Sequence, residues 1–175
     1  MDTCSGKTRL VAGLAFATLA MLGSTAPLPA QEGEPSAVGL WQVSDANGRA
    51  WFQISERNGT YQGQIVKMFF KEGDDPNPIC SRCEGERHNA PWLGLTIITG
   101  MKRSGLAYED GRILDPRNGN IYNAQMRISP DGQTLTVRGY LGISMLGRDQ
   151  VWQRLPESAA AQIDRAPKTQ GSGKR

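Results

Sequence analysis

Residues 121–141 read IYNAQMRISPDGQTLTVRGYL, two short segments that meet at an Asp131-Gly132 dipeptide. Apolar side chains alternate with polar ones along both segments, and the apolar positions are Tyr122, Ala124, Met126, Ile128, Leu135 and Val137. A period of two indicates β-strands with one buried face. An Asp-Gly dipeptide supplies the positive φ that a tight hairpin needs. The stretch therefore predicts an antiparallel hairpin with one apolar face.

The same rhythm extends outward from this hairpin in both directions. The turn-forming stretches DANGR, RNGT, RSG and DPRNGN separate further short apolar runs, and no stretch keeps a helical period beyond two turns. The predicted strands are Val38–Ser44, Ala50–Glu56, Thr60–Phe70, Leu95–Lys102, Leu106–Leu114, Ile121–Ile128, Thr134–Leu141 and Arg148–Leu155. Consecutive hairpins imply an antiparallel meander.

Eight strands with one apolar face can close on themselves, which removes the exposed edges of the sheet. The interior of such a barrel is just wide enough for side chains or for one small ligand. A two-sheet sandwich is the alternative, and the short hairpin loops favour the barrel over it. We predict an all-β domain over residues 38–155: an eight-stranded antiparallel up-and-down barrel with one long lid loop.

The first thirty residues have the layout of a secretory signal peptide. Two basic residues precede the uncharged apolar run Leu10–Leu22, which is too short to span a bilayer. Cys4 lies before this run, whereas a lipid-anchor cysteine would follow it. We expect removal of residues 1–30, a short linker over residues 31–37, and a soluble periplasmic or secreted product without stable membrane insertion.

The charge balance gives little reason to expect nucleic acid or an anionic membrane as a partner. The chain carries 20 Lys and Arg against 17 Asp and Glu. Without residues 1–30, 18 basic and 16 acidic residues remain, and the tail at residues 156–175 accounts for that excess. The folded part is therefore close to neutral. The tail is polar and rich in small residues, so we predict that it is disordered.

Tryptophans lie at the two ends of the predicted domain. Gly39-Leu40-Trp41 opens the first strand, and Trp152-Gln153-Arg154 ends the last one. These strands are neighbours in an up-and-down barrel, so Arg154 can lie over the Trp41 ring and close one barrel end, a contact worth about 0.5–2 kcal/mol. The alternative is a buried tryptophan that merely begins a strand. A G-x-W start with a late arginine resembles the lipocalin and calycin pattern.

A more specific resemblance lies in the second half. The run GRILDPRNGNIYNAQMRI, followed by LTVRGYLGISMLGRDQVWQR, resembles the exported bacterial family known as domain of unknown function 2147. The connection NPICSRCEGERHNAPWLGLTII is similar to that of one of its subgroups. The resemblance extends over residues 38–154. It implies a signal peptide and a lipocalin-like barrel, and it implies no reaction.

Inward-facing side chains of such a barrel are candidates for a ligand site. The predicted lining residues are Phe52, Ile54, Met68, Tyr122, Met126, Leu135 and Val137. These walls are bulky, so two functions remain open. An open interior would bind a small apolar or amphipathic molecule, whereas a filled interior would make the barrel a scaffold for protein interactions in the cell envelope. No cofactor is expected.

Four polar residues are candidates for the barrel mouth, namely Arg87 in the long connection, Asp115, Arg138 and Arg148. Asp115 begins the turn DPRNG, in which every residue has turn chemistry. The two arginines of the second half can pair with Asp115 or Asp149 on the surface. Alternatively, they line the mouth and receive an anionic head group.

One connection escapes the hairpin rhythm, and one hairpin loop has an unusual apolar tip. Lys71–Gly94 is long for a loop inside a domain, and such loops are usually functional or stapled, so we predict a lid. The loop GISMLG places apolar Ile143, Met145 and Leu146 between two glycines. This apolar tip is expected to fold inward as a plug. Otherwise it is exposed to a partner, a membrane surface or a second copy of the chain.

Cys80 and Cys83 have the spacing that zinc sites and redox enzymes share. A thioredoxin-type site needs a helix N-terminus in an α/β unit, and no such unit is predicted. A closed zinc site needs four ligands, whereas the two cysteines and His88 supply three. A disulfide between Cys80 and Cys83 is the favoured reading in an oxidising compartment, ahead of a metal site and of redox catalysis.

His88 is the only histidine of the chain, so any histidine-based hydrolysis would depend on it. An exposed loop histidine is the ordinary interpretation, because no group of catalytic residues accompanies it. We do not predict an enzyme, and a hydrolase that uses His88 is the least favoured of the three functions.

Overall fold

The computed structural model describes residue 1 and residues 33–45 and 48–163 of the chain. The predicted signal peptide, apart from Met1, and the last part of the tail, residues 164–175, lie outside the described residues. Removal of residues 1–30 therefore stays a prediction. The described part contains no helix that is long and apolar enough to cross a membrane.

Eight antiparallel strands form a closed barrel in which each strand pairs with its neighbour in sequence and the last pairs with the first. The strands are β1 (Gly39–Asp45), β2 (Gly48–Arg57), β3 (Thr60–Phe69), β4 (Thr96–Ser104), β5 (Ala107–Asp115), β6 (Asn120–Ile128), β7 (Thr134–Tyr140) and β8 (Arg148–Arg154). The prediction of an all-β up-and-down barrel is confirmed.

Large side chains fill the interior. The side chains that alternation places on the inner face are almost completely buried. Those with at most 2% exposure include Trp41, Ile54, Ile98, Met101, Tyr108, Met126, Ile128, Leu135, Val137 and Trp152. The Phe52 and Trp152 rings stack with centroids 4.3 Å apart, and Tyr61 meets Tyr108 edge to face at 4.8 Å. Such contacts across the barrel bind strands that are not neighbours in the sheet.

The two ends of the barrel differ. At one end, which we call the closed end, β1 begins and β8 finishes. There the backbone N–H of Ala37 donates to the hydroxyl of Tyr108 at 2.8 Å. The opposite end, which we call the loop end, carries the β1–β2 turn, the long β3–β4 connection, the β5–β6 turn and the β7–β8 loop.

The seam between the first and last strands carries the contact expected from the sequence. Trp41 and Arg154 are Cα partners, and the Arg154 guanidinium carbon lies 4.2 Å from the Trp41 ring centroid. The indole N–H of Trp41 donates to the carbonyl of Ala37 at 2.8 Å. Burial lowers the pKa of Arg154.

The segment after the barrel differs from the expected disorder as far as the structure describes it. Residues Glu157–Gln162 form a 3-10 helix with Ala159 buried. Ala159 packs on apolar side chains of the first three strands that lie outside the main core, namely Leu40, Trp51 and Val66. An exposed apolar patch on the sheet therefore explains why a segment of disordered composition is ordered here.

Candidate functional site

The predicted lumen residues lie inside the barrel, but they contact one another. Phe52, Ile54, Met126, Leu135 and Val137 are all at most 7% exposed and belong to one core cluster. Met68 packs against this cluster at its edge. Tyr122 is half-buried. The interior that was expected to hold a ligand is occupied by the protein's own side chains.

Near the loop end, polar side chains at the rim of the barrel form hydrogen bonds with one another. Gln150, the Cα partner of inward-facing Val137, donates to Asp45 at 2.9 Å. The indole N–H of Trp152 donates to the Gln150 side-chain oxygen at 3.4 Å. The Tyr122 hydroxyl accepts from the Asn120 amide at 3.3 Å. The polar side chains at the rim therefore form hydrogen bonds with one another and have few donors and acceptors left for a ligand in the mouth.

Asp115 lies at the start of the β5–β6 turn, as its turn chemistry predicts. Its carboxylate accepts hydrogen bonds from the Arg117 backbone N–H at 3.0 Å and from the Arg117 side chain at 2.9 and 2.7 Å. Burial acts to raise the pKa of Asp115, but the bonds and charge of Arg117 outweigh it and lower that pKa. Asp115 therefore organises the turn and is not free to contact a ligand.

Arg138 lies on the outer wall of β7, because its neighbour Val137 faces inward. Its guanidinium donates to Asp149 at 2.6 Å and to the carbonyl oxygens of Ser144 and Met145 at 2.7 and 3.3 Å. These bonds hold the β7–β8 loop, within which Ser144–Leu146 forms a 3-10 turn. Arg148, at the start of β8, is exposed.

The β7–β8 loop is turned outward, against the expectation of a plug. Its apolar side chains are strongly exposed: Leu141 by 67%, Ile143 by 62%, Met145 by 84% and Leu146 by 78%. The plug interpretation is wrong for a physical reason. The lumen is already full, and Arg138 draws the loop carbonyls to the outside of the sheet.

A groove of about 650 Å³ lies between this loop and the outer wall of the sheet. We call it the outer groove. Its wall consists of outward-facing residues of β5–β7, namely Ala107, Glu109, Gln125, Arg127, Thr136 and Arg138. Ile143, Ser144, Met145 and Asp149 close it on the loop side.

The long β3–β4 connection forms a small hairpin rather than an open loop. Ile79 and Pro91 make an isolated bridge, and the backbone N–H of Cys80 donates to the carbonyl of Ala90 at 2.8 Å. At its tip the Cys80 and Cys83 sulfurs are at disulfide-bonding distance, with 5.3 Å between the Cα atoms. Both cysteines are buried.

This disulfide hairpin packs on the β5–β6 turn. The Cys80 sulfur lies 3.3 Å from the Pro116 carbonyl oxygen. A Cβ at Gly119 would overlap the Arg82 carbonyl, so only glycine allows this approach. Arg87, which was predicted at the mouth, instead lies against the outer face of β4 and β5.

His88 lies in this hairpin with its ring exposed. Its Nδ1 is 3.0 Å from the Cys83 carbonyl oxygen, which is neither the serine nor the carboxylate that hydrolysis would require. Within residues 33–45 and 48–163 no group of three or more His, Cys, Asp or Glu side chains is placed to hold a metal.

Residues that the sequence analysis did not single out form much of the outer groove. Gln125 and Arg127 lie at the polar positions of β6 that alternate with Ala124 and Met126. Alternation placed them on the outside, where charged residues are ordinary. Their place in the outer groove depends on the position of the β7–β8 loop, which the sequence of β6 does not indicate.

The closed order of eight strands, the packed core and the arginine over the first tryptophan define a lipocalin-like barrel. The chain belongs to the family described as uncharacterized protein conserved in bacteria (DUF2147), whose model matches residues 39–154. This confirms the family resemblance drawn from the sequence motifs.

A solved structure shows the same architecture. Protein HP1028 from the human pathogen Helicobacter pylori, described as belonging to the lipocalin family, matches with a TM-score of 0.65 at 14% sequence identity. The match covers 76% of this chain and 93% of that chain. At this identity the similarity shows the fold alone. None of the curated proteins is significantly similar to this chain.

Proposed function

We propose that this chain is an exported binding module for a small amphipathic molecule, and that the molecule is held in the outer groove rather than in the barrel interior. The observation that supports this proposal is the contrast between the filled barrel interior and the outer groove. The interior side chains are buried against one another, whereas the outer groove has a volume of about 650 Å³. Ligand pockets of proteins typically have about 300–1,000 Å³.

The chemistry of the groove supports an amphipathic ligand. Ile143 and Met145 present apolar surface from the loop. Gln125, Thr136 and Arg127 present polar groups from the wall. Arg127 is exposed and, among the described residues, its side chain has no hydrogen bond or ion pair, so it is available to the head group of a ligand.

The charges of the groove also limit the ligand. Asp149 is neutralised by Arg138 at 2.6 Å, which leaves Arg127 and Glu109 as the charges that a ligand would meet. A small molecule with one apolar portion and a compact polar head fits this arrangement. A long fatty chain does not, because the groove is open to solvent and its loop side chains are already largely exposed.

A fluorescence titration with 1-anilinonaphthalene-8-sulfonate, an aromatic amphiphile, tests the proposal. The double variant Ile143→Ser/Met145→Ser removes the apolar side of the groove and is expected to weaken binding about tenfold or more. The matched control is Ile79→Ser, which changes an exposed apolar residue of the other long connection. Unchanged affinity in the double variant would overturn the proposal.

A second candidate function is self-association through the same loop. The observation that favours it is the exposure of Ile143, Met145 and Leu146, since apolar tips of this kind often mark contact surfaces. Sedimentation velocity over a range of protein concentrations tests it. A dimer that Met145→Asp abolishes would support this candidate, and a monomer at all concentrations would exclude it.

A further inference from the structure

A second, smaller cavity lies between the disulfide hairpin and the outer face of β4 and β5. Its volume is about 130 Å³. The lining residues are Arg87, Ile97, Thr99, Arg112, Leu114 and Ile121. This space is several times smaller than the outer groove, and it suits a functional group of a few atoms rather than a whole drug-sized ligand.

The polar residues that line this cavity are two arginines and one threonine. Arg87 and Arg112 contribute two guanidinium groups, Thr99 contributes a hydroxyl, and no acidic side chain lines the cavity. Within the described part of the chain neither arginine side chain has a hydrogen bond or an ion pair. Unneutralised arginines that line one space attract an anion.

Four other arginines of the barrel bind groups of the protein itself. Arg103, Arg117 and Arg138 each pair with a carboxylate, and Arg154 donates to three carbonyl oxygens. Their donors are therefore occupied by the protein itself. The donors of Arg87 and Arg112 are left for a group from outside.

The cavity combines an apolar floor with an exposed rim, to which Thr99 and Arg112 belong. Its floor is apolar, since Ile97 is 7% and Leu114 3% exposed. Arg87 is half-buried although its sequence neighbours Glu86 and His88 are exposed. A charge near low-dielectric surface interacts more strongly with its partner than a charge in open water.

The disulfide hairpin holds Arg87 in place before any ligand arrives. The carbonyl of Arg87 accepts from the backbone N–H of Ala90 at 3.1 Å, and the carbonyl of Cys80 accepts from Asn89 at 3.0 Å. The Cys80–Cys83 pair fixes the start of the same segment. Arg112 is fixed by the barrel itself, as the Cα partner of Thr99 between β4 and β5. The backbone at both arginines is therefore fixed before binding, and only the side chains have to be ordered by the ligand.

We propose that Arg87 and Arg112 form a binding site for a small oxyanion group, a carboxylate or a phosphate. The group is either a free ion or the head of a short amphipathic molecule whose apolar part lies along Ile121, which is 43% exposed at the rim. The site is separate from the outer groove, and it does not depend on the function proposed for that groove.

Isothermal titration calorimetry with inorganic phosphate and, separately, with octanoate tests the site in the disulfide-bonded protein. Saturable binding of either anion is expected. Tighter binding of octanoate would show that the site takes the head group of an amphipathic molecule. Tighter binding of phosphate would show that it takes a free ion. No saturable binding of either anion would overturn the proposal.

Variants locate the binding. Arg87→Gln and Arg112→Gln are each expected to weaken the affinity about tenfold or more, because each removes a charge-assisted hydrogen bond. Arg112→Lys keeps the charge without the planar fork, and its affinity is expected to lie between those of the wild type and Arg112→Gln.

Arg57→Gln, at an exposed residue at the end of β2, is the matched control. Equal weakening in the control, or unchanged affinity in both glutamine variants, would contradict the assignment; circular dichroism checks that all variants fold.

Discussion

The guanidinium of Arg154 lies 4.2 Å from the ring centroid of Trp41, and it also donates to the carbonyl oxygens of Ser36, Val38 and Gly132. One side chain of the last strand therefore holds the segment before the first strand, the first tryptophan and the β6–β7 hairpin. Arg154 therefore joins three separate parts of the closed end of the barrel.

Replacement of Arg154 by methionine keeps the long aliphatic stem but removes the charge and the donors. We expect the free energy of unfolding to fall by about 2–3 kcal/mol, because one cation–π contact and three hydrogen bonds are lost. Urea denaturation measures the change. Arg57→Met at an exposed position is the control and should change the stability by less than about 0.5 kcal/mol.

Gly39 precedes this contact and cannot be replaced cheaply. Its φ is +138°, and a Cβ there would lie 2.6 Å from the Arg154 Nη1. Gly39→Ala is expected to lower the free energy of unfolding by about 1–3 kcal/mol, because an L residue is strained at this φ. Gly33→Ala, where a Cβ meets nothing within 4 Å, is the control in the same thermal or urea unfolding series. Equal stabilities of the two variants would refute this reading of the glycine.

Asp115 makes part of the stability depend on pH. Its pKa is lowered in the folded protein from the ordinary value of 3.8. The ionised carboxylate therefore stabilises the fold above that ordinary value, and this contribution is lost as the pH falls through the lowered folded-state pKa. Asp115→Asn should cost about 1 kcal/mol near neutral pH.

Urea unfolding of wild type and Asp115→Asn across the acid range checks this. The difference between the two proteins should shrink as the pH falls below the ordinary value of 3.8. A difference that stays constant down to the lowest pH at which the fold survives would show that the charge of Asp115 is not what stabilises the turn.

Arg138 controls the position of the β7–β8 loop. Arg138→Met removes its bonds to Asp149, Ser144 and Met145. We expect faster amide exchange in residues 141–147, weaker binding of 1-anilinonaphthalene-8-sulfonate, and a stability loss of only about 1 kcal/mol. Hydrogen exchange followed by mass spectrometry gives the readout. The control Arg148→Met, at an exposed residue on the other side of the loop, should leave the exchange unchanged.

The Cys80–Cys83 pair closes a very short ring, so its contribution to stability is small. Cys80→Ala/Cys83→Ala should lower the free energy of unfolding by at most about 2 kcal/mol in the chain-entropy account. The local effect is expected to be larger: amide exchange in residues 78–92 should rise, while the exchange of barrel amides stays slow. Uniform acceleration across the whole barrel would show that the hairpin is part of the main cooperative unit.

The barrel was predictable because its determinants are local. Alternation and turn residues indicate where each strand begins and ends, and in a meander each strand pairs with the next one in sequence. The contact between Trp41 and Arg154 was predictable as well, because the first and last strands of a closed meander must pair. The predicted strand ends differ from the observed ones by at most two residues.

The filling of the interior was not predictable from alternation. Alternation says that Phe52 and Trp152 face inward, but their stacking joins β2 to β8 across the barrel, a contact with no local signal. The direction of the β7–β8 loop depends likewise on Arg138, which alternation identifies only as an exposed residue. That Arg87 and Arg112 line the same cavity depends on how the disulfide hairpin folds, which the spacing of its cysteines does not specify.

Methyl-resolved NMR during titration with 1-anilinonaphthalene-8-sulfonate tests the central claim most directly. A packed interior with binding outside predicts large chemical-shift changes at Ile143 and Met145 and none beyond noise at the interior methyls of Ile54, Leu135 and Val137. Saturable shifts that are largest at those interior methyls would contradict the account, because they would place the bound molecule inside the barrel.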